Sequence, residues 1–178
     1  QVSALTTAQI RALETADLSA MSTAQLAGLS ATQIGRLSTA QAAALTTAQV
    51  AGLSATQVAS LSTAATAALT TSQVQALTTA QVQGLSATQL NSLTTAQVAS
   101  MQTADVAALS VTQVASLNTA SVAALSSTQA QALTSAQVAG LTTTQIGALE
   151  TADLSAMSSA QLAGLSVTQI GKLSTAQV

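Results

Sequence analysis

Two rows of apolar residues recur every eight positions along the chain. Leu or Met stands at position 5 and at every eighth residue after it, through Leu173. A second apolar residue follows five places after each of these, from Ile10 to Val178. The polar stretch between them is usually Ser/Thr-Thr-Ala-Gln, so the consensus octad is Leu-Ser/Thr-Thr-Ala-Gln-Val-Ala-Ala, numbered here from position 1 at Leu to position 8. The second row departs from Val, Ile or Leu only at Ala42, Thr66 and Ala130.

Each octad carries the start signal of a short helix. Ser/Thr at position 2 and Gln at position 5 form the Ser/Thr-x-x-Gln pattern of a capping box. In residues 53–60, Ser54 would accept a hydrogen bond from the N–H of Gln57, and the Gln57 side chain would reach back to Ser54. Val58 and Leu61 then share one face of a helix of about seven residues, and Leu53 packs on Val58 as a hydrophobic staple.

Departures from the capping pattern are few. We expect the substitutions at the cap to be mild, and a carboxylate at position 5 suits the positive end of a helix. Helices this short are not stable alone, so they must stack into a solenoid held by contacts between neighbours. The sequence predicts an all-α solenoid of very short capped helices, one per eight-residue repeat. The departures include Glu14, Gln102 and Asn118 at the cap, and Asp17, Asp105 and Asp153 at position 5.

Two other folds are compatible with an eight-residue repeat to different degrees. A continuous α-helix would let the apolar stripe drift by about 80° per octad, because spacings of five and three average four residues per turn. A β-solenoid with two octads per coil remains an alternative, because Val, Thr and Ile favour strands. Against it, Ala, Leu and Gln favour helices, and the spacing of three breaks strand alternation.

The organisation predicted is a single uninterrupted octad array over residues 1–178. Residues 5–42 match residues 141–178 at 32 of 38 positions, which gives a superperiod of 17 octads. No linker, charge block or change of composition divides the chain. We expect it to be a segment of a longer repetitive protein.

The spacing of one octad variant suggests how the solenoid winds. Apart from one extra copy at Leu125, octads with Thr at position 4 recur after alternating steps of three and four octads, and five such steps span the superperiod of 17 octads. The mean step predicts a coil of about 3.4 octads, or roughly 27 residues. Duplication of a block of seven octads would produce the same spacing and stays open as an explanation. Glycines precede most of these octads, and we expect them where coils or neighbouring fibres approach closely: Gly28, Gly52, Gly84, Gly140 and Gly164.

Composition narrows the range of partners. Apolar residues make up 48% of the chain, which argues against disorder, but no Phe, Trp or Tyr is present, so the core must be thin. Three basic residues, Arg11, Arg36 and Lys172, cannot neutralise a run of phosphates, so we expect no nucleic-acid binding. No apolar run approaches the roughly 18 to 20 residues of a membrane span.

Reactive chemistry is not indicated. His, Cys and Tyr are absent, and the Ser and Thr hydroxyls have no neighbouring base. We therefore expect no enzyme activity, and no catalytic, cofactor-binding or metal-binding residue. The carboxylate pairs Glu14 with Asp17 and Glu150 with Asp153 could bind a hard cation weakly, but solvated helix N-termini are the favoured interpretation. The Gln row could form a hydrogen-bonded ladder, although a capping role alone is favoured.

Two resemblances are carried by particular stretches. Residues 77–84, LTTAQVQG, resemble the helix start of the TAL-effector repeat, but the base-reading loop of that repeat is missing, so DNA recognition is not implied. The whole chain resembles the Ala/Thr/Gln/Leu-rich repeat regions of very large secreted or surface-attached bacterial proteins. Such regions serve as stalks, fibres or adhesin shafts. The resemblance implies an extracellular or cell-surface location.

The function expected from these observations is structural. The chain would form or extend an extracellular filament, stalk or sheath by solenoid stacking, with self-association into fibres and no small-molecule substrate. The alternative is a repeat interaction module or adhesin shaft that binds a peptide, glycan or surface. Binding surfaces are enriched in aromatic and Arg anchors, whereas these octads vary mostly among Ala, Ser, Gly, Gln and Asn. This favours the structural role.

Overall fold

Each octad from residue 5 to residue 172 contributes one short α-helix. The computed structural model describes residues 2–177. Within that part there are 21 α-helices of four to six residues, a 3₁₀ turn at Val2–Ala4, and no strand. The predicted all-α solenoid of short helices is confirmed, and the β-solenoid alternative is wrong.

The chain divides into two compact units, residues 1–93 and residues 94–178. The helices of the first unit are α1 Thr7–Ala12, α2 Thr15–Ala20, α3 Thr23–Ala27, α4 Ala31–Ile34, α5 Thr39–Ala44, α6 Thr47–Gly52, α7 Ala55–Ala59, α8 Thr63–Ala67, α9 Thr71–Gln75, α10 Thr79–Gly84 and α11 Ala87–Ser92.

The second unit continues the same pattern with ten helices. They are α12 Thr95–Ser100, α13 Thr103–Ala108, α14 Val111–Ser116, α15 Thr119–Ala123, α16 Ser127–Ala132, α17 Ser135–Ala139, α18 Thr143–Ala148, α19 Thr151–Ala156, α20 Ser159–Leu162 and α21 Val167–Ile170.

The helices are shorter than the predicted seven residues because the N-cap of every octad, and in many octads also the Leu or Met before it, is extended. Between α6 and α7, Leu53 has φ −70° and ψ 149°, and the N-cap Ser54 has φ −71° and ψ 158°. An N-cap residue takes non-helical dihedral angles, so the cap of each octad also ends the helix before it. These extended residues turn the chain between successive helices and allow it to wind into a coil.

The coil closes between three and four octads. In the first unit α7 packs on α10 and α8 on α11, and in the second unit α13 packs on α16 and α16 on α19. Hydrogen bonds between successive coils join residues 23 to 31 positions apart. Most of these separations fall between three octads and four, so the turn is not a whole number of octads. This agrees with the predicted coil of about 3.4 octads.

The core consists of the two apolar rows. The Leu/Met row is 3 to 7% exposed from Leu29 to Met157, and the second row is buried from Ile10 to Leu154. Even the exceptions Ala42, Thr66 and Ala130 are buried. Position 4 of the octad faces solvent throughout the described helices. The two apolar rows therefore form the inside of the repeat, and position 4 lies on its outside.

The capping box is the common start of the helices. Both of its hydrogen bonds are present in 16 of the 21 helices of the described chain. Asn118 also caps its helix, accepting from the N–H of Ser121 at 2.8 Å. Glu14 and Gln102 make no side-chain cap bond, although α2 and α13 still form over six residues. Their longer side chains do not replace the short Ser or Thr hydroxyl.

The glycines at position 8 serve close approach rather than unusual backbone angles. No glycine in the described chain has a positive φ. At four of the five position-8 glycines, an added Cβ would contact the residue 29 positions earlier, in the preceding coil, as expected. At Gly28 the added Cβ would contact only the backbone of its own helix. The four pairs are Gly52 with Thr23, Gly84 with Ala55, Gly140 with Val111, and Gly164 with Ser135.

Candidate functional site

The glutamines at octad position 5 are buried polar groups beside the apolar rows. Thirteen of them are at most 6% exposed, and a buried polar group is costly unless it is hydrogen-bonded. The partners of these amides therefore decide what the row does. The buried glutamines are Gln33, Gln41, Gln49, Gln57, Gln73, Gln81, Gln89, Gln97, Gln129, Gln137, Gln145, Gln161 and Gln169.

One end of each amide caps its own helix. Gln81 shows the arrangement: its Oε1 accepts a hydrogen bond from the backbone N–H of Thr78 at 2.7 Å. The backbone N–H of Gln81 donates to Thr78 Oγ1 at 3.4 Å. The first N–H groups of a helix lack intrahelical partners, and this pair of bonds satisfies two of them.

The other end of the amide reaches the preceding coil. Gln81 Nε2 donates to the carbonyl of Val50 at 2.8 Å and to that of Leu53 at 2.6 Å. These carbonyls lie at the C-terminal end of α6, where helical acceptors also lack partners. One side chain thus hydrogen-bonds to unpaired backbone groups at the start of α10 and at the end of α6, which lies four helices earlier. We call this arrangement the glutamine bridge.

The glutamine bridge repeats along both units with little variation. In each case Nε2 donates to the carbonyl of the Leu or Met that lies 28 positions earlier, at 2.6 to 3.0 Å, and in most cases to one or two carbonyls 30 or 31 positions earlier. The bridges are made by Gln33, Gln41, Gln49, Gln57, Gln73, Gln81, Gln89, Gln129, Gln137, Gln145, Gln161, Gln169 and Gln177.

The sequence prediction found only half of this arrangement. The capping role of Gln is confirmed, but in the bridges the second bond goes to backbone carbonyls and not to a ladder of glutamines. A signal for it was present. A capping box accepts either Glu or Gln at its third helical position, yet position 5 of this chain never holds Glu. Only Gln has an N–H donor to offer the preceding coil.

The four carboxylates of the two predicted pairs differ in their exposure to solvent. Glu14, Asp17 and Glu150 are exposed, as expected for solvated helix N-termini. Asp153, however, is 2% exposed, so the solvated interpretation is wrong for this residue. Where position 5 lies at the junction with a preceding coil, as it does at Asp153, an Asp is buried like the glutamines. Asp105, at the same octad position, is 3% exposed.

The remaining candidate groups are dispersed. Arg11, Arg36 and Lys172 are exposed. Among residues 2–177, no three His, Cys, Asp or Glu side chains come together in a way that could hold a metal ion. Over the same residues, every helix is too short to cross a bilayer.

An open apolar depression of about 380 Å³ lies within the second unit. Leu162 and Ile170 belong to the second apolar row, yet they are 37% and 50% exposed. Leu154, Leu165 and Leu173 complete the apolar lining. The surface consists of residue types that a stacked coil covers elsewhere in the chain.

Comparison with known proteins gives one match. A family model described as the ALTTAQ repeat matches the chain five times, at residues 10–47, 43–79, 67–103, 98–135 and 146–178. No curated protein and no solved structure matches.

Proposed function

Because the chain belongs to the ALTTAQ repeat family, whose model matches most of its length, we propose that it is a structural protein. It forms or extends a filament, stalk or sheath, and the coils of the solenoid are the unit of growth. An extracellular or cell-surface location is part of the proposal and rests on the compositional resemblance described above. The proposed assembly needs no cofactor, nucleic acid or small-molecule substrate.

The glutamine bridge is the observation that carries this proposal. Buried amides make the same bond to the coil before them in both units, so each coil supplies the acceptors for the next. Stability in such arrays is a sum of repeat and nearest-neighbour terms, and a uniform neighbour contact allows the array to extend without a set length. The amide neither titrates nor attacks, which suits a mechanical role.

The apolar depression supports stacking at the end of the second unit. Burial of apolar surface contributes roughly 25 cal/mol per Å², so covering Leu162 and Ile170 with a further coil is favourable. In the proposed filament a second copy of the chain supplies that coil. The nearly uncharged surface, with 4% charged residues, also favours association between molecules.

Electron microscopy of the purified chain over a range of concentrations tests the proposal. We expect fibres of uniform width whose mean length grows with concentration. Ile170→Asp should shorten or abolish them, because it places a charge in the surface to be covered. Thr168→Asp is the matched control: it lies on the same helix, α21, at exposed position 4, and should leave the fibres unchanged.

Two outcomes would contradict the filament. Discrete monomers at every concentration would show that the chain does not self-associate. Retention of those monomers on a glycan or peptide array would then favour the interaction module. Equal effects of Ile170→Asp and Thr168→Asp would show that fibres grow through another surface.

A further inference from the structure

Asp153 occupies a place that a bridging glutamine holds in most octads. It is the third residue of α19, whose N-cap Glu150 makes no side-chain cap bond. Its neighbours along the array, Gln145 and Gln161, donate to the carbonyls of Leu117 and Leu133 at 2.7 and 2.6 Å. Both bonds span 28 positions, and the same register places the carbonyl of Leu125 opposite Asp153.

The Asp153 carboxylate points into this junction. Its Oδ1 accepts a hydrogen bond of 2.9 Å from Ser127 Oγ, at the start of α16 in the preceding coil. Ser127 follows Leu125 by two residues, so the contact fixes the carboxylate beside the carbonyl that a glutamine would bridge. The second oxygen, Oδ2, is buried and has no hydrogen-bond partner within residues 2–177.

Asp in place of Gln changes the junction from a donor–acceptor contact to one that has acceptors only. A glutamine brings an N–H donor to the carbonyl, whereas a carboxylate is an acceptor only and is one methylene shorter. By the register of the neighbouring bridges, the junction therefore holds a buried carboxylate oxygen where an N–H donor would stand, and no ion pair to Asp153 is present in the described chain. A buried charge needs a pairing partner or a metal ion.

We propose that this junction is a binding site for a hard cation, held by Asp153 Oδ2 and the carbonyl oxygen of Leu125. Oxygen-only donors of this kind suit calcium, which takes six to eight oxygens in flexible geometry. A single carboxylate among the protein ligands makes this a weak site, so the dissociation constant should lie at about 10⁻⁴ to 10⁻³ M. The cation would take over the link between coils that the amide makes elsewhere. The site does not depend on the scaffold role.

Calcium-dependent melting of the 178-residue chain tests the site. Asp105 is a second buried Asp at octad position 5, so all proteins carry Asp105→Gln, which leaves Asp153 as the one buried carboxylate of the described chain. In this background, millimolar calcium should raise the melting temperature over that in a chelator. Asp153→Gln should abolish the shift and raise the melting temperature in the chelator, because it restores the glutamine bridge.

Glu150→Gln is the matched control, since it removes the same charge three residues away at an exposed position. It should keep the calcium shift. A second measurement uses europium as the probe: the chain has no aromatic residue, so the ion is excited directly, and its luminescence lifetimes in H₂O and D₂O count its water ligands. Binding at Asp153 should displace water from the ion, and Asp153→Asn should weaken binding roughly tenfold or more through the lost ligand charge.

Three results would overturn the proposal. The junction would be bridged by water if calcium has no effect while Asp153→Gln still stabilises. The exposed pair would be the site if Glu150→Gln removes the shift as completely as Asp153→Gln. A europium ion with its full set of water ligands would show that no protein oxygen binds it.

Discussion

The side-chain amide of Gln73 donates a hydrogen bond of 2.6 Å to the carbonyl of Leu45, 28 positions earlier, while its Oε1 accepts from the N–H of Thr70 at 2.6 Å. Gln73 is 2% exposed. One side chain therefore satisfies a helix start and a helix end that belong to successive coils. Because this contact recurs in both units, the loss of a single donor atom is a direct test of what holds coils together.

Gln73→Glu should destabilise the chain by about 2 to 4 kcal/mol, because it buries a charge against carbonyls that have lost their donor. Urea denaturation followed by circular dichroism measures the loss. Gln9→Glu is the matched control: Gln9 makes the same capping contact, with Thr6 at 2.8 Å, but is exposed. It should be nearly neutral. Equal losses in the two variants would show that the amide matters only as a cap.

Leu93→Asp should cost several kcal/mol, since Leu93 is buried in the Leu/Met row and an unpaired charge there has no compensating partner. Ala99→Asp, at an exposed position 7, should change the melting temperature little. Thermal denaturation of the two variants makes the comparison. Similar losses would contradict the assignment of the inside and the outside of the octad.

Gly35→Ala should destabilise by about 1 to 3 kcal/mol, the usual cost of overpacking. A Cβ there would lie 2.7 Å from the carbonyl oxygen of Ser60, which is backbone and cannot rotate away. Gly147 stands at the same octad position, but its nearest neighbour would be 3.6 Å away. Gly147→Ala should stabilise by roughly 0.5 to 1 kcal/mol, because Ala favours the helix interior. Denaturant titrations should show that Gly35→Ala lowers the free energy of unfolding and that Gly147→Ala raises it. Changes in the same direction would show that the contact with Ser60 does not limit the side chain at position 35.

Deletion of one whole octad, residues 53–60, should leave helicity per residue and the melting temperature nearly unchanged. The bridges reach backbone carbonyls that every octad supplies, so Gln81 can pair with the next Leu in line. Deletion of residues 57–60 alone should lower both quantities, because the truncated unit keeps its cap Ser54 and loses the Gln and Val that complete it. Circular dichroism of the two chains measures the difference. Tolerance of the half-octad deletion would show that the eight-residue register is not required.

Local structure could be predicted from the sequence because its causes lie within a few residues. The hydrogen bonds between Ser54 and Gln57 span three positions, so the capping box can be recognised directly in the octad. The two apolar rows can be recognised from their period alone, and Leu93, a member of the first row, is buried. Glu14 and Gln102 mark the limit of this approach, since a pattern does not show that a longer side chain fails to make the cap bond.

The tertiary structure alone decided what happens at octad position 5. The second bond of Gln73 reaches Leu45, and the burial of Asp153 depends on a coil that lies three to four octads before it. Such distances are set by the turn between successive helices, added over three to four octads, and small changes in that turn would bring a different octad opposite. The sequence therefore determined where each helix begins and which side faces inward, whereas the partners of its buried amides and carboxylates depend on how the coil closes.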